Sequence, residues 1–358
     1  MRTVSALCCA AAVMSAAAEL NCSSAMSVVQ GRNLQGKVIV QTGGDTGLGL
    51  ETTKALALTQ ASVVIGSYNV TYGSQVAAQI AASSGNPNVE AIGVDLSKLS
   101  SVREFAAQVL RKHSKIDALI NDAGIDHTLT SLPPMTTDNF ERVFQVNYLG
   151  PFLLTELLLP ALRAASPPGR IINVASMAAE DTCTWRNAPE GCMASPAQWQ
   201  IDATTPNGTL PPPLPAGSCG PRTPSGCNAV GTPASNYGVT KFAQEAHAFE
   251  LDRIESGVRA VSLHPGFVAT PMTSAIANAT AVEWCAPLPF KPGVCPIPVA
   301  AGAATQTFLA VVDAESLVGG AFYRNCAPAT RAKATGWDWA SSPAQFYSTS
   351  RAWLNLQS

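Results

Sequence analysis

Tyr237 and Lys241, at the two ends of the stretch YGVTK, are spaced to act as a proton-transfer pair. On a helix, positions i and i+4 share one face, so the lysine ammonium can stand beside the phenol. A free tyrosine has a pKa of about 10. A neighbouring positive charge favours the phenolate and lowers that value, which makes Tyr237 usable as a general acid/base near neutral pH. Taken alone, the pair reads equally well as two polar residues on a helix surface. Proton transfer at an alcohol or carbonyl oxygen also needs a hydroxyl to orient that oxygen. The remainder of the chain has to supply that partner and a scaffold.

A second candidate lies near the chain start. The stretch TGGDTGLG (42–49) places glycines at 43, 47 and 49, in the pattern T-G-x-x-x-G-x-G. Glycine permits a tight turn and lets a pyrophosphate approach a helix N-terminus, where exposed N–H groups and the helix dipole favour an anion. The apolar run GKVIVQTGG (36–44) precedes it and a helical pattern over 48–60 follows. Strand, glycine turn and helix in that order point to a dinucleotide. With this cradle present, the surface reading of Tyr237 and Lys241 loses most of its weight.

The elements that must position these residues alternate. Apolar strand runs are expected at 36–44, 61–68, 89–96, 115–124, 169–176, 258–266 and 316–323. Helical patterns fall at 48–60, 71–84, 98–113, 138–164 and 236–256. That rhythm implies parallel βαβ units in an α/β, Rossmann-type doubly wound sheet with helices on both faces, and ligands at the carboxyl ends of the strands. Cofactor choice turns on the end of the second strand, which reads GSYN. An acid there would hold a ribose 2′-OH and favour NAD, and an arginine would hold a 2′-phosphate. Tyr68 and Asn69 are neither. The missing acid tilts the choice toward NADP, and Asp45 in the glycine turn tilts it mildly back. Asp95, after the third strand, is placed to contact adenine or to cap a helix.

The cradle, NDAG (121–124), VNYLG (146–150), INVAS (172–176), YGVTK and HPGFVAT (264–270) occur in the order of the short-chain dehydrogenase/reductase family, which this chain resembles over about residues 36–358 apart from two insertions. NFERVFQVNYLGPFLLTELLLPAL and the ending GGAFYRNC…AQFYSTSRAWLNL are more narrowly similar to its retinol dehydrogenase and WW-domain oxidoreductase branch. The resemblance implies an NAD(P)-dependent oxidoreductase acting on CH–OH groups with a catalytic tetrad of Asn147, Ser176, Tyr237 and Lys241. Ser176 would be the hydroxyl partner and Lys241 a ribose contact. The main-chain carbonyl of Asn147 would hold a relay water. Pro151 has no N–H, so it leaves that carbonyl without its helical bond, open to a water or to Lys241. Cofactor contacts are implied at Thr42, Gly43, Asp45, Thr46, Gly47, Leu48, Gly49, Tyr68, Asn69, Asp95, Leu96, Asn121, Ala123, Gly124, Tyr237, Lys241, Pro265, Gly266, Val268 and Thr270. Thr270 would hold the carboxamide or cap a helix. The expected substrate is a small apolar alcohol, aldehyde or ketone, retinoid- or steroid-like. One departure stands out: the family's second asparagine before Ala-Gly is Asp122 here.

The bulk composition narrows the classes further. Charged residues make up 13% of the 358, and net charge is −2, so no basic footprint for nucleic acid is present. Four scattered histidines and no Cys-x-x-Cys spacing give no metal site. Arg2, the uncharged stretch 4–18 and small residues near Ala18 form a secretory leader pattern over 1–18, with membrane anchoring through 4–18 as the alternative. Eight cysteines remain beyond it: Cys22, Cys183, Cys192, Cys219, Cys227, Cys285, Cys295 and Cys326. With sequons at Asn21, Asn69, Asn207 and Asn278, they suggest an oxidising compartment, the endoplasmic reticulum lumen or the exterior. A glycan at Asn69 would crowd the adenosine pocket, so that sequon is expected to be unused. After a linker at 19–35, one domain covers 36–358. It carries proline- and cysteine-rich insertions at about 180–235 and 283–298, each expected to be stapled internally by disulfides and, with the positions after Thr270, to shape the substrate pocket. The first insertion lies between Ser176 and Tyr237, 61 residues apart. A loop there can grow outward without moving either end, at modest entropic cost. Homo-oligomerisation is compatible with the sequence.

Overall fold

The computed structural model describes residues 21–126, 133, 135–176, 179, 233–270, 272, 296–331 and 338–356. The leader, nearly all of both insertions and six of the eight mature cysteines lie outside the described residues. So do the sequons at Asn207 and Asn278.

Eight strands form one sheet in the order β3-β2-β1-β4-β5-β6-β7-β8. They are β1 (Val38–Thr42), β2 (Ser62–Ser67), β3 (Val89–Gly93), β4 (Ala118–Asn121), β5 (Gly169–Val174), β6 (Val258–His264), β7 (Phe322–Arg324) and β8 (Ala327–Ala329). All neighbours are parallel except β7 and β8. The chain reverses direction across the sheet between β1 and β4, which places a crevice at their carboxyl ends.

The sheet is covered on both faces because successive strand residues point opposite ways. In β1, Ile39 packs with α2 (Gly47–Leu58), α3 (Val70–Ser84) and α9 (Ala304–Val311), whereas Val40 packs on the other side. There α4 (Leu99–Lys112), α6 (Gly150–Arg163), α7 (Pro233–Ile254) and α10 (Ser342–Trp353) contribute Phe105, Leu153, Ala248 and Tyr347. Short helices α1 (Ala25–Val28), α5 (Arg142–Phe144) and α8 (Val299–Gly302) complete the set.

Three features differ from the sequence expectation. The segment read as a linker contains α1, with Ser24 and Ser27 in a capping box and with Ala25 and Val28 fully buried on the first core. Cys22, just before it, is disulfide-bonded to Cys326 at a Cα–Cα distance of 6.4 Å, so these two pair with each other across the domain. The long helix expected over 138–164 is broken into α5, a π-helical stretch (Gln145–Leu149) and α6. Pro151 lacks the N–H that would close a normal turn onto Asn147, and Gly150 N bonds the Gln145 carbonyl five residues back instead.

Candidate active site

The glycine turn joins β1 to α2. Gly43 (φ +70°) packs so tightly that a Cβ there would lie 3.0 Å from the Ala123 Cα. A Cβ on Gly49 would lie 2.0 Å from the Gly43 carbonyl oxygen. These glycines let turn, helix and β4 exit loop close on one another. Gly47 (φ +52°) does the opposite: nothing stands within 4 Å of where its Cβ would be. Thr46, the N-cap of α2, makes no side-chain capping bond, so the first-turn N–H groups are available to an anion in front of Gly47. Close packing behind and open space ahead fit a pyrophosphate. Thr42 Oγ1 accepts from Ala123 N at 3.2 Å and fixes the floor of this cradle.

The flanks of the cleft are less uniform. Asp45 is buried and accepts from Ser67 Oγ at 2.6 Å, at the end of β2. Tyr68 is 75% exposed, and Asn69 caps α3 through Oδ1, which accepts from Tyr72 N. The Asp95 carboxylate binds Ser97 and Lys98, while Lys98 itself occupies the N-cap of α4. Leu96 is buried. Asn121 is fully buried, and its Nδ2 donates to Asn173 Oδ1 (2.9 Å) and Thr155 Oγ1 (3.2 Å), tying β4 to β5 and α6 and leaving only its main chain to face the cleft. After β6, Pro265, Gly266 (φ +97°) and Val268 form a loop pinned to Ile297, whose N donates to Phe267 O at 2.7 Å. Thr270 N bonds Val268 O. Residues 273–295, expected from the sequence to help shape the substrate pocket, lie outside the described residues.

The residues expected to carry the proton transfer converge despite the 61-residue gap. Ser176 follows β5, and its side chain hydrogen-bonds Tyr237 in α7. Lys241, one turn on, is 3% exposed. Its Nζ stands 5.5 Å from the Tyr237 ring centre and donates to Val174 O at 2.7 Å. A Cβ on Gly124 would lie 3.5 Å from that Nζ, so the loop after β4 closes the other side. Asn147 holds this loop with two bonds to Ile125: Oδ1 accepts from its N (2.8 Å) and Nδ2 donates to its carbonyl (2.9 Å). Asn147 Nδ2 also reaches Thr240 Oγ1 at 3.1 Å. The carbonyl that Pro151 frees has one of its two acceptor sites taken. Gln244 Nε2 donates to it at 2.9 Å.

The electrostatics overturn one expectation. Tyr237 is held above the ordinary phenol pKa, not below it. Burial is the main cause, Asp126 and Asp122 add to it, and the Ser176 hydrogen bond opposes. Lys241 is itself pushed down to about 8 by burial, with Asp122 opposing. Its influence on the phenol is correspondingly weak, and desolvation of the phenolate wins. Asp122 is pushed up to about 7 by burial, against Lys241 and hydrogen bonds from Gln306 and Gln41.

Sequence reasoning missed Asp126, Thr240, Gln244, Gln41 and Gln306 as site residues. Thr240 and Gln244 stand three and seven places after Tyr237, on the same helix face, and that spacing was a usable signal. Gln306 stands between Thr305 and Thr307 in the buried α9, and a large polar side chain in a buried helix asks for a partner. Nothing in the sequence distinguished Asp126.

A family model described as short chain dehydrogenase matches residues 37–188. Retinol dehydrogenase 13 of Mus musculus is 40% identical over 146 residues, covering 40% of this chain and 42% of that protein. The WW domain-containing oxidoreductase of Gallus gallus is 39% identical over 154 residues, 43% of this chain and 36% of that protein. The chain therefore spans less than half the length of these curated relatives. A solved structure of an uncharacterized protein from Mycobacterium paratuberculosis superposes with a TM-score of 0.59 at 25% identity, over 95% of this chain and 97% of that one.

Proposed function

The chain belongs to the short-chain dehydrogenase/reductase family, and we propose that it interconverts an alcohol and a carbonyl compound with a nicotinamide dinucleotide. The observation that carries this reading is the Ser176–Tyr237–Lys241 cluster, assembled beside an open glycine cradle across a long insertion.

The bound dinucleotide would supply or accept hydride at C4 of its nicotinamide. The first-turn N–H groups of Gly47, Leu48 and Gly49 would hold its pyrophosphate, and Lys241 its ribose. In reduction, Tyr237 gives its proton to the carbonyl oxygen while Ser176 fixes that oxygen in place. In oxidation, Tyr237 takes the proton back. A phenol held above its usual pKa stays protonated at neutral pH, so the proton is in place for the reductive direction, and the oxidative direction gains as pH rises. Asn147 acts through structure, holding Ile125 and the β4 loop against Lys241.

For the cofactor we place NADP ahead of NAD, because β2 ends without an acid to repel a 2′-phosphate. Asp45, bonded to Ser67, pulls the other way. The substrate we propose is an apolar aldehyde, ketone or alcohol, retinoid- or steroid-like, by likeness to retinol dehydrogenases. The Cys22–Cys326 bridge supports an oxidising compartment, the endoplasmic reticulum lumen or the exterior. Anchoring through residues 4–18 is the alternative, and among the described residues no helix is long and apolar enough to cross a membrane.

The test uses full-length oxidised protein, NADPH or NADH deuterated at C4, and a panel of apolar aldehydes and ketones. Deuterium on the carbinol carbon of the product is the expected result. Tight cofactor binding without label transfer to any substrate would instead support a dinucleotide-binding protein without turnover.

A further inference from the structure

We propose that Asp122 is a proton-uptake site linked to dinucleotide binding: its carboxyl, set between Gly49 of the glycine turn and Lys241 of α7, becomes neutral as the cofactor's phosphates arrive. This rests on the dinucleotide reading given above.

The position is defined by contacts from four elements. A Cβ on Gly49 would lie 2.7 Å from Asp122 Oδ2, so the carboxyl abuts the first turn of α2, where the pyrophosphate fits. Gln41 from β1 and Gln306 from α9 hydrogen-bond it, and Lys241 and Tyr237 face it from α7. Asp126, on the same loop, adds a second negative charge near Tyr237. Lys241 is therefore the single positive charge in this set, and its ammonium is already bound to the Val174 carbonyl.

Two things make the neutral acid the natural bound form. A dinucleotide brings two negative phosphate charges to the turn that Asp122 touches, and it covers a carboxyl that keeps part of its surface exposed. Both effects favour protonation. The structure also holds an acceptor for the new proton. Gln306 is fully buried, and its Oε1 has no hydrogen-bond partner. A rotation of that amide, which gives up the Gln306 Nε2 bond to Thr52 Oγ1 (2.7 Å), turns an orphan acceptor toward a protonated Asp122. An asparagine at this position would carry no such titration. No covalent step is involved; one proton passes from solvent to one carboxylate oxygen. The pair lies close enough to neutrality for the effect to operate, with Asp122 near 7 and Lys241 near 8. The reduced nicotinamide lacks the positive charge of the oxidised ring, so uptake is larger for the reduced cofactor.

The experiment is calorimetric titration of the full-length oxidised protein with NADPH and NADH at pH 6 to 8.5, in two buffers of different ionisation enthalpy. Wild type and Asp122→Asn are compared, with infrared difference spectra recorded on binding. Wild type is expected to take up close to one proton above pH 7, with affinity falling by up to about tenfold per pH unit. A protonated carboxylic C=O band should appear on binding and be missing in Asp122→Asn, whose pH slope is shallower. Binding by wild type with no proton uptake, or a C=O band that survives in the variant, overturns the proposal alone. No binding of either dinucleotide at any pH overturns it together with the proposed function.

Discussion

Gln244 Nε2 donates a 2.9 Å hydrogen bond to the main-chain carbonyl of Asn147, filling the place from which Pro151 withdraws its helical partner. A π turn in α5–α6 and a side chain from α7 thus share one task, joining the helix that carries Tyr237 to the loop that backs Lys241. Gln244→Leu conserves volume but leaves that carbonyl unpaired. It also removes the Gln244 Oε1, which has no partner, and this offsets part of the loss. We expect a net destabilisation of about 1 kcal/mol, read as a lowered midpoint in chemical denaturation. An unchanged midpoint would mean that the bond contributes nothing.

The pH dependence should be asymmetric between directions. Alcohol oxidation needs the Tyr237 phenolate, and burial holds that phenol above its ordinary range. The value of kcat/KM for oxidation should therefore rise about tenfold per pH unit between pH 6 and 8 without levelling. Carbonyl reduction should be flat through neutrality and fall above pH about 8, as Lys241 loses its charge. Initial-rate profiles in both directions check this. An oxidation rate that levels off near pH 7 would show the phenol pKa to be lowered.

Acid stability should depend on His247. The ring is packed against Phe152, Tyr347 and Tyr148, and burial holds its pKa down to about 3 from an ordinary 6.5. Between those values the unfolded chain binds the proton and the folded chain does not, so stability falls as pH drops from about 6.5 to 3. His247→Phe removes this dependence, worth on the order of 4 kcal/mol across the window. Urea denaturation of both proteins at pH 7 and pH 4 should show wild type losing more. Equal losses would place the ring in water.

Cys22 and Cys326 should appear as one cross-linked peptide in a non-reducing digest of native protein, since the structure joins them. Cys326→Ser frees α1 from one anchor of its packing on the core and should destabilise the fold by about 2–5 kcal/mol. A digest pairing Cys22 with a cysteine of either insertion would contradict the assignment.

The sheet and the placing of Tyr237 beside Lys241 were legible because they depend on local patterns: apolar runs closed by glycine, and two residues one helical turn apart. Six strands and four helices fell near their expected places for this reason, whereas β7 (Phe322–Arg324) takes only the end of the run expected over 316–323 and the stretch 138–164 is broken. The antiparallel β8 (Ala327–Ala329) carried too few residues, and a proline, to announce itself. What could not be read were quantities that exist only after folding. The Asn121 side chain ties β4 to Asn173 and Thr155, a partnership that spacing does not reveal. The carbonyl of Asn147 has a partner, Gln244, that reaches it from 97 residues away. The direction of the Tyr237 shift followed from the depth of its burial and from Asp126, neither of which spacing reveals. Cys22–Cys326, separated by 304 residues, is likewise a consequence of where α1 docks.

The most direct test of the central claim is Tyr237→Phe in the full-length oxidised protein, assayed for hydride transfer and for dinucleotide affinity in parallel. We predict that turnover falls by at least about a thousandfold, from the loss of general acid/base catalysis and of oxygen positioning, while the dinucleotide Kd changes by less than about threefold. Turnover that persists within tenfold of wild type would show that the proton passes through another group and that the Ser176–Tyr237–Lys241 cluster is not the reacting centre.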